Sequence, residues 1–232
     1  MAKAPQSGRS KTRLCPPLTP DQAACLSAAF LRDTTESMRA AARSAPIAAY
    51  AAYAPAGTEA FLTPHLAPGT ALLLADGDAP APAGVEGFGR CLLQAVADLL
   101  ARGHAAACVL SSDTPTLPTR FLTTAADILL APSDRGVLGA CEDGGYYLLG
   151  LKRAHARLFA DIAWSGDTVA EATRARAREI GLELVELDSW YDVDDAASLA
   201  RLIADQGGYP APETRSALSR LEAATPLAGN CA

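Results

Sequence analysis

Aromatic side chains are scarce in this sequence, at 6% of 232 residues. Its three histidines, His65, His104 and His155, are scattered, and none of its six cysteines form a C-x-x-C pair, which disfavours a zinc site. Cys15, Cys25, Cys91, Cys108, Cys141 and Cys231 lie mostly among Ala and Leu, as small buried thiols do in a reducing cytoplasm. No apolar run approaches the ~18–20 residues of a membrane span. Positive charge is also in deficit: 20 Lys and Arg face 26 Asp and Glu, a net charge of −6. A nucleic-acid scaffold needs concentrated Lys and Arg, so that class is disfavoured. The first twenty residues carry Lys3, Arg9, Lys11 and Arg13 without an acid. They have neither the apolar face of a transit peptide nor the apolar core of a secretory signal. No internal repeat is visible.

What is present is a chain that is 50% hydrophobic, much of it Ala, long enough to bury one sheet with helices on both faces. Helical and strand signals alternate. Thr19-Pro20 reads as an N-cap before a helix reaching about Arg43, with Ala23, Leu26 and Phe30 at helical spacing. Further helices are expected from Phe88 to Arg102, Pro118 to Leu130, Thr168 to Ile180 and from Asp194 or Asp195 to Ala204. Strand signals fall at Ile47 to Tyr53, Thr70 to Ala75, Val137 to Ala140, Tyr146 to Leu151 and Leu182 to Leu187. Ala105 to Ser111 is a continuous apolar run, the mark of a strand buried on both faces. Such alternation implies βαβ units with ligands at the carboxyl ends of the strands. The expectation is one α/β domain over 1–205 and a Gly/Pro-rich tail over 206–232 with a short helix near Ser216 to Ala224.

Four segments hold residues suited to chemistry, and each also has a plain structural reading. Residues 2–14 form a Gly-containing loop bearing Lys3, Gly8, Lys11 and Arg13. Backbone N–H groups and fixed cations there suit a polyphosphate, although a solvated basic tail explains the same letters. It is not a Walker A loop, because G-x-x-x-x-G-K-[ST] is absent. Asp113 follows the apolar run ending at Ser111, so it emerges at a strand's carboxyl end, where a carboxylate can hold Mg2+ or Mn2+ against a diphosphate; a turn or cap is the alternative. In Glu142-Asp143-Gly144-Gly145, the glycines permit close backbone approach or simply build a hairpin. Asp192 and Asp194 point to one side of an extended segment and suit a second metal ligand, while Asp194 or Asp195 can equally cap the following helix.

Taken in order, A-K-A-P-x-S-G-x-S-K-T-R-L, S-D-T-P-T-L-P, E-D-G-G-Y-Y-L-L-G-L and Y-D-V-D-D resemble one bacterial family over Met1 to about Ile203. It is the radical-SAM/selenodomain-associated transferases, a glycosyltransferase-like branch of the nucleotide-diphospho-sugar transferase (GT-A) superfamily. The chain is also similar to the guanylyltransferases of molybdenum-cofactor and deazaflavin-cofactor biosynthesis. The resemblance implies a GT-A-like mixed, mainly parallel sheet flanked by helices. It also implies that Lys3, Gly8, Lys11 and Arg13 meet nucleotide phosphates, and that Asp113, Asp192 and Asp194 hold Mg2+ or Mn2+. Asp113 and Asp143 become the catalytic candidates, with Gly144 and Gly145 lining a sugar or acceptor pocket.

Two features depart from the family pattern. Relatives usually carry an apolar strand immediately before A-K-x-P, whereas Met1 falls inside that motif, so either the native start lies upstream or the sheet lacks its usual first strand. Ser111-Ser112 stands where relatives often have Gly. The implied activity is glycosyl transfer from a nucleotide sugar to a small acceptor in the cytoplasm. The alternatives are nucleotidyl transfer from a nucleoside triphosphate, which the basic loop and the lone Asp113 favour, and a catalytically inert nucleotide-binding protein.

Overall fold

A computed structural model of the chain describes residues 1–164 and 166–224. The expected helices form where the sequence signals them. Helix α1 (Pro20–Ala41) starts with a full capping box, the Thr19 side chain accepting from the Gln22 N–H and Gln22 returning a bond to the Thr19 N–H. Strand β1 (Tyr50–Tyr53), the short helix α2 (Glu59–Leu62) and strand β2 (Ala71–Leu74) follow. Next come α3 (Phe88–Ala101), β3 (Ala107–Leu110) and α4 (Thr119–Leu130). The hairpin of β4 (Arg135–Cys141) and β5 (Tyr146–Leu151) leads to α5 (Val169–Glu179), β6 (Glu183–Trp190) and α6 (Ala196–Ala204). The C-terminal stretch read as a tail carries a 13-residue helix, α7 (Pro212–Ala224), whose Ala217 and Leu218 pack into one apolar cluster with Leu26 and Phe30 of α1. Residues 225–232, with Cys231, lie outside the described residues.

The architecture is mixed α/β, as expected. Strands β3, β5, β4 and β6 lie side by side in that order, and β5 alone runs against the others. Hence β3, β4 and β6 all present their carboxyl ends at one edge. On one face Leu138, Leu149 and Leu151 pack against Leu92 and Val96 of α3 and Ala177 of α5. On the other, Val137, Tyr147 and Leu148 pack against Phe121, Ala125 and Leu129 of α4. Gly139 lets the Tyr147 ring lie across β4, since a Cβ there would stand 2.2 Å from that ring. The Tyr147 hydroxyl then donates to the Asp188 carbonyl at 2.8 Å, tying β5 to β6 near the edge.

Strands β1 and β2 form a separate parallel pair, so the sheet is split between β1 and β3. The first two residues stand at the end of this gap. Ala2 bridges Tyr53 in parallel fashion and donates to the Ala52 carbonyl at 2.7 Å, while the Met1 amine donates to the Leu110 carbonyl at 2.7 Å. Behind them is a cavity of about 370 Å³, lined among others by Leu31, Met38, Ala51, Cys108, Leu122 and Leu129. Burial lowers the pKa of the Met1 amine to about 6, against the opposing pull of Asp113. Burial of the run Ala105 to Ser111 on both faces is incomplete, because Ala107 and Val109 are buried while Cys108 is exposed. The run makes an edge, with Ala107 and Val109 in the core and Cys108 facing the cavity. Cys108 opens only onto the cavity and is otherwise surrounded by protein, and burial pushes its thiol up to about 12.

Two facing strand edges and an apolar cavity leave backbone donors and acceptors without ladder partners. Eight to ten strand-forming apolar residues, about a strand's length, added ahead of Met1 should fill this gap. The thermal midpoint should rise by about 5 °C or more, since each apolar side chain buried contributes roughly 1.5–3 kcal/mol and each kcal/mol shifts a chain of this size by about 2–4 °C. Differential scanning calorimetry of the extended and present chains checks this; equal midpoints would mean that the gap costs nothing.

Candidate functional site

The carboxyl ends of β3, β4 and β6 bring three of the four sequence segments together, and the N-terminal loop folds over them. In that loop the buried Ser10 hydroxyl donates to the Ala4 carbonyl at 2.8 Å and accepts from the Gln6 N–H at 2.9 Å. Gly8 takes the turn at φ +70 with open space beside it. Lys11 is left-handed at φ 51 and precedes a single 3-10 turn that buries Leu14. This arrangement turns the Lys11 side chain inward, while Lys3, Arg9 and Arg13 stay exposed.

Beyond β3 the Ser111 hydroxyl accepts from the Asp113 N–H at 3.1 Å, so a serine shapes the loop where relatives often have Gly. The Asp113 carbonyl accepts from Val193 N–H at 2.9 Å, which stitches this loop to the segment after β6. There Tyr191 and Val193 are buried, and the alternation of extended chain turns Asp192 and Asp194 to the other side. Asp195, not Asp194, caps α6, accepting from the Ser198 N–H at 2.8 Å. Asp194 is thereby free for the site.

The site is organised around one ammonium group. Lys11 Nζ lies 2.7 Å from Asp113 Oδ1 and 2.8 Å from Asp194 Oδ1, and donates to the Val193 carbonyl at 2.7 Å. Its side chain is only 7% exposed, whereas those of Asp113 and Asp194 are 35% and 28% exposed. Arg13 reaches the second oxygen, Asp194 Oδ2, at 2.8 Å from the solvent side. Burial opposes the charge on Lys11, but the two carboxylates overcome it and raise its pKa. Burial likewise acts against the Asp194 charge, and Lys11 with Arg13 reverses it, so its pKa falls below the ordinary value. The cation beside Asp113 comes from about a hundred residues away in the chain, and Lys11, expected at nucleotide phosphates, faces carboxylates.

A second group lies alongside. Carboxylate oxygens of Asp143 and Asp192 and the sulfur of Cys141 all fall within 4.8 Å of one another. Burial, then the charges of Asp143 and Asp194, raise the Asp192 pKa to about 6. Of the cysteines among the described residues only Cys141 is buried as expected, whereas Cys15 and Cys91 are half-buried and Cys25 and Cys108 exposed. The place of Cys141 beside two acids was not legible beyond its position ahead of Glu142-Asp143. The glycine pair meets a different requirement from the expected pocket. A Cβ on Gly144, at φ +91, would stand 1.7 Å from the Asp167 carbonyl oxygen, so this glycine admits a neighbouring loop. Gly145 completes the turn by donating to Asp143 Oδ1 at 2.9 Å.

One oxygen of each of Asp113 and Asp194 touches the Lys11 ammonium, so a cation held by both would stand where that ammonium stands; carboxylate oxygens are the ligands hard cations select. Among the described residues no helix is long and apolar enough to cross a membrane.

A family model described as "uncharacterized protein conserved in bacteria (DUF2064)" matches residues 37–166, more than half the chain. The match includes Asp113 and the Asp143-Gly144-Gly145 turn, and stops short of Lys11, Asp192 and Asp194. No curated protein sequence matches. Among solved structures, a Desulfovibrio desulfuricans G20 protein provisionally named a nucleotide-diphospho-sugar transferase is similar with a TM-score of 0.80 and 24% identity, over 96% of this chain and 93% of that one. A CMP:2-keto-3-deoxy-manno-octonic acid synthetase complexed with CTP is similar with a TM-score of 0.51 and 13% identity, over 75% of this chain and 86% of that one. At these identities the likeness shows the fold.

The raised Asp192 carboxyl carries a cost to folding that is absent below the ordinary value near 4 and fully present above about 6. Without divalent metal, Asp192→Asn should therefore stabilise the protein at pH 7. Solvent screening of this half-buried group holds the gain to about 1 kcal/mol. The gain should shrink towards pH 4, where wild-type Asp192 is protonated in the folded state. Urea unfolding at both pH values checks this, and a variant no more stable at pH 7 would refute it.

Proposed function

Because the chain belongs to the family of uncharacterized proteins conserved in bacteria, DUF2064, and has the fold of a nucleotide-diphospho-sugar transferase, we propose that it is a metal-dependent transferase that moves a sugar from a nucleotide-diphospho-sugar to a small acceptor. The observation that carries this reading is the convergence of Asp113 and Asp194 on one cationic position at the carboxyl edge of the sheet. Mg2+ or Mn2+ held by those carboxylates, with Asp192 nearby, would supply charge to the diphosphate as it departs. Arg13 stands exposed at the rim, where it can pair with phosphate oxygens, and the Gly8 turn leaves room beside it. The acceptor hydroxyl forms its bond to the anomeric carbon as the bond from that carbon to the diphosphate oxygen breaks. Its proton passes to a carboxylate, for which Asp143 is the candidate. The nucleoside diphosphate leaves. Within the superfamily the motif order favours the radical-SAM/selenodomain-associated branch, and the free cysteines suit a cytoplasmic enzyme.

Nucleotidyl transfer is the second reading. In it an acceptor attacks the α-phosphate of a nucleoside triphosphate and pyrophosphate leaves. The basic loop and the single Asp after β3 favour it, and related folds host both reactions.

Incubation with Mg2+ or Mn2+ and panels of nucleotide sugars and nucleoside triphosphates separates the readings. Release of nucleoside diphosphate is the expected result, release of pyrophosphate supports the second reading, and binding without turnover would make the protein an inert nucleotide binder. Asp113→Asn should lower turnover by about 100-fold or more. It should also lower the thermal midpoint, because the buried Lys11 ammonium loses one of its two carboxylates. Full activity in that variant would remove Asp113 from the chemistry.

A further inference from the structure

Lys11 holds a position that the proposed chemistry needs for something else. Its ammonium donates to Asp194 Oδ1 and the Val193 carbonyl and forms an ion pair with Asp113 Oδ1 at 2.7 Å. A divalent cation bound by the same two carboxylates would sit about 2.0–2.6 Å from their oxygens, inside the space of the Nζ group. Ammonium and dication therefore exclude each other, sterically and by like charge. We propose that Lys11 is a tethered cation that occupies the Asp113–Asp194 position until a divalent ion arrives together with a nucleotide, so that metal and nucleotide bind as a pair. The proposal rests on the reading of Asp113 and Asp194 as the metal-holding carboxylates.

Three observations support the exchange. First, the charges that face this position come from every segment around it: Asp113 after β3, Asp143 in the hairpin, Asp192 and Asp194 after β6, and Lys11 with Arg13 from the N-terminal loop. Four acids stand against Lys11, Arg13 and the Met1 amine, whose charge burial opposes, and this leaves the centre short of positive charge even with Lys11 in place. Second, the Lys11 stem has four methylene groups, and its nitrogen lies 5.6 Å from the centre of the Phe30 ring. That ring is a cation–π partner of the ammonium where it now stands, and the four methylene groups leave the nitrogen room to turn while Ser10 and Leu14 hold the backbone. Third, the loop that carries Lys11 is open beside Gly8 and exposed at Ser7, Gly8 and Arg9, on the side where Arg13 meets solvent.

Charge balance dictates the pairing. A metal ion arriving alone would evict the ammonium next to a dication with no anion to receive it. An ion arriving with a diphosphate brings the anion, and the displaced ammonium gains phosphate oxygens in place of carboxylates. The same residue would thus serve the carboxylates in the free protein and the phosphates in the loaded one.

The test is equilibrium binding of Mn2+ to the full chain, followed by the electron paramagnetic resonance of free Mn2+, without nucleotide and with UDP, GDP or CDP. In wild type, Mn2+ alone should bind weakly, and the cognate nucleoside diphosphate should tighten it by about 10-fold or more. Lys11→Met should bind Mn2+ alone about 10-fold more tightly than wild type and lose most of the gain from nucleotide. Lys11→Gln, which keeps polar contacts without the charge, gives the same comparison if Lys11→Met does not fold. In wild type, Mg2+ alone should leave the thermal midpoint unchanged, whereas Mg2+ with the nucleotide should raise it. If Mn2+ binds wild type and both Lys11 variants equally, and Asp113→Asn abolishes that binding, the metal pair stands and the exchange is overturned. If Mn2+ binds neither wild type nor the Lys11 variants, with or without nucleotide, the reading of Asp113 and Asp194 fails and takes the exchange with it.

Discussion

The contact between the Lys11 ammonium and the carboxylates of Asp113 and Asp194 is the interaction on which the arrangement of this edge depends. It joins three segments that share no local sequence: the N-terminal loop, the exit of β3 and the exit of β6. Two carboxylates at such a distance repel unless a positive charge stands between them, and partial burial sharpens that repulsion. The backbone bond from Val193 N–H to the Asp113 carbonyl holds the two exits together. The ammonium makes that closeness tolerable.

The second constraint is the split in the sheet. A parallel pair, β1 and β2, stands apart from the four-stranded unit, and the ends of the gap are joined by hydrogen bonds of Met1 and Ala2 alone among the described backbone contacts. The Met1 amine is held at the end of β3, whose loop carries Asp113, so the order of the N-terminal residues and the position of the acid are linked. The cavity behind them is lined by α1, α4 and both strand edges, which makes it a feature of the core. The candidate site lies at the carboxyl edge, where polar groups converge, next to the end of that cavity lined by Met1 and Ser112.

Much of the architecture was legible in the sequence because its signals are local. Thr19-Pro20 before an apolar helical stripe, Gly103 and Gly181 after helices, and the Glu-Asp-Gly-Gly turn all act within a few residues. The alternation of elements led to a mixed sheet with its ligand edge at the strand exits. Departures came where burial depends on distant partners. Ala105 to Ser111 reads as a doubly buried strand from its composition alone, yet Cys108 faces a cavity because no strand lies beside it. The Gly/Pro-rich stretch after Asp205 reads as a tail, yet Thr214 and Glu213 donate backbone N–H bonds to the buried Asp33 carboxylate of α1, and α7 docks there.

For the site, sequence by itself determined which residues reach the edge. Asp113, Asp143, Asp192 and Asp194 follow strands or turns, and periodicity of two sends Asp192 and Asp194 to the same side. Tertiary structure alone decided their partners. Lys11 reads as a solvated or phosphate-facing cation because its neighbours in the chain are Ser10 and Thr12. Its charge is spent on carboxylates about a hundred and more residues away. Gly144 reads as a site for ligand approach until the Asp167 carbonyl is seen against it. Local rules set backbone conformation and side-chain direction, whereas the pairing of charges depends on which strand exits the fold brings within hydrogen-bond reach.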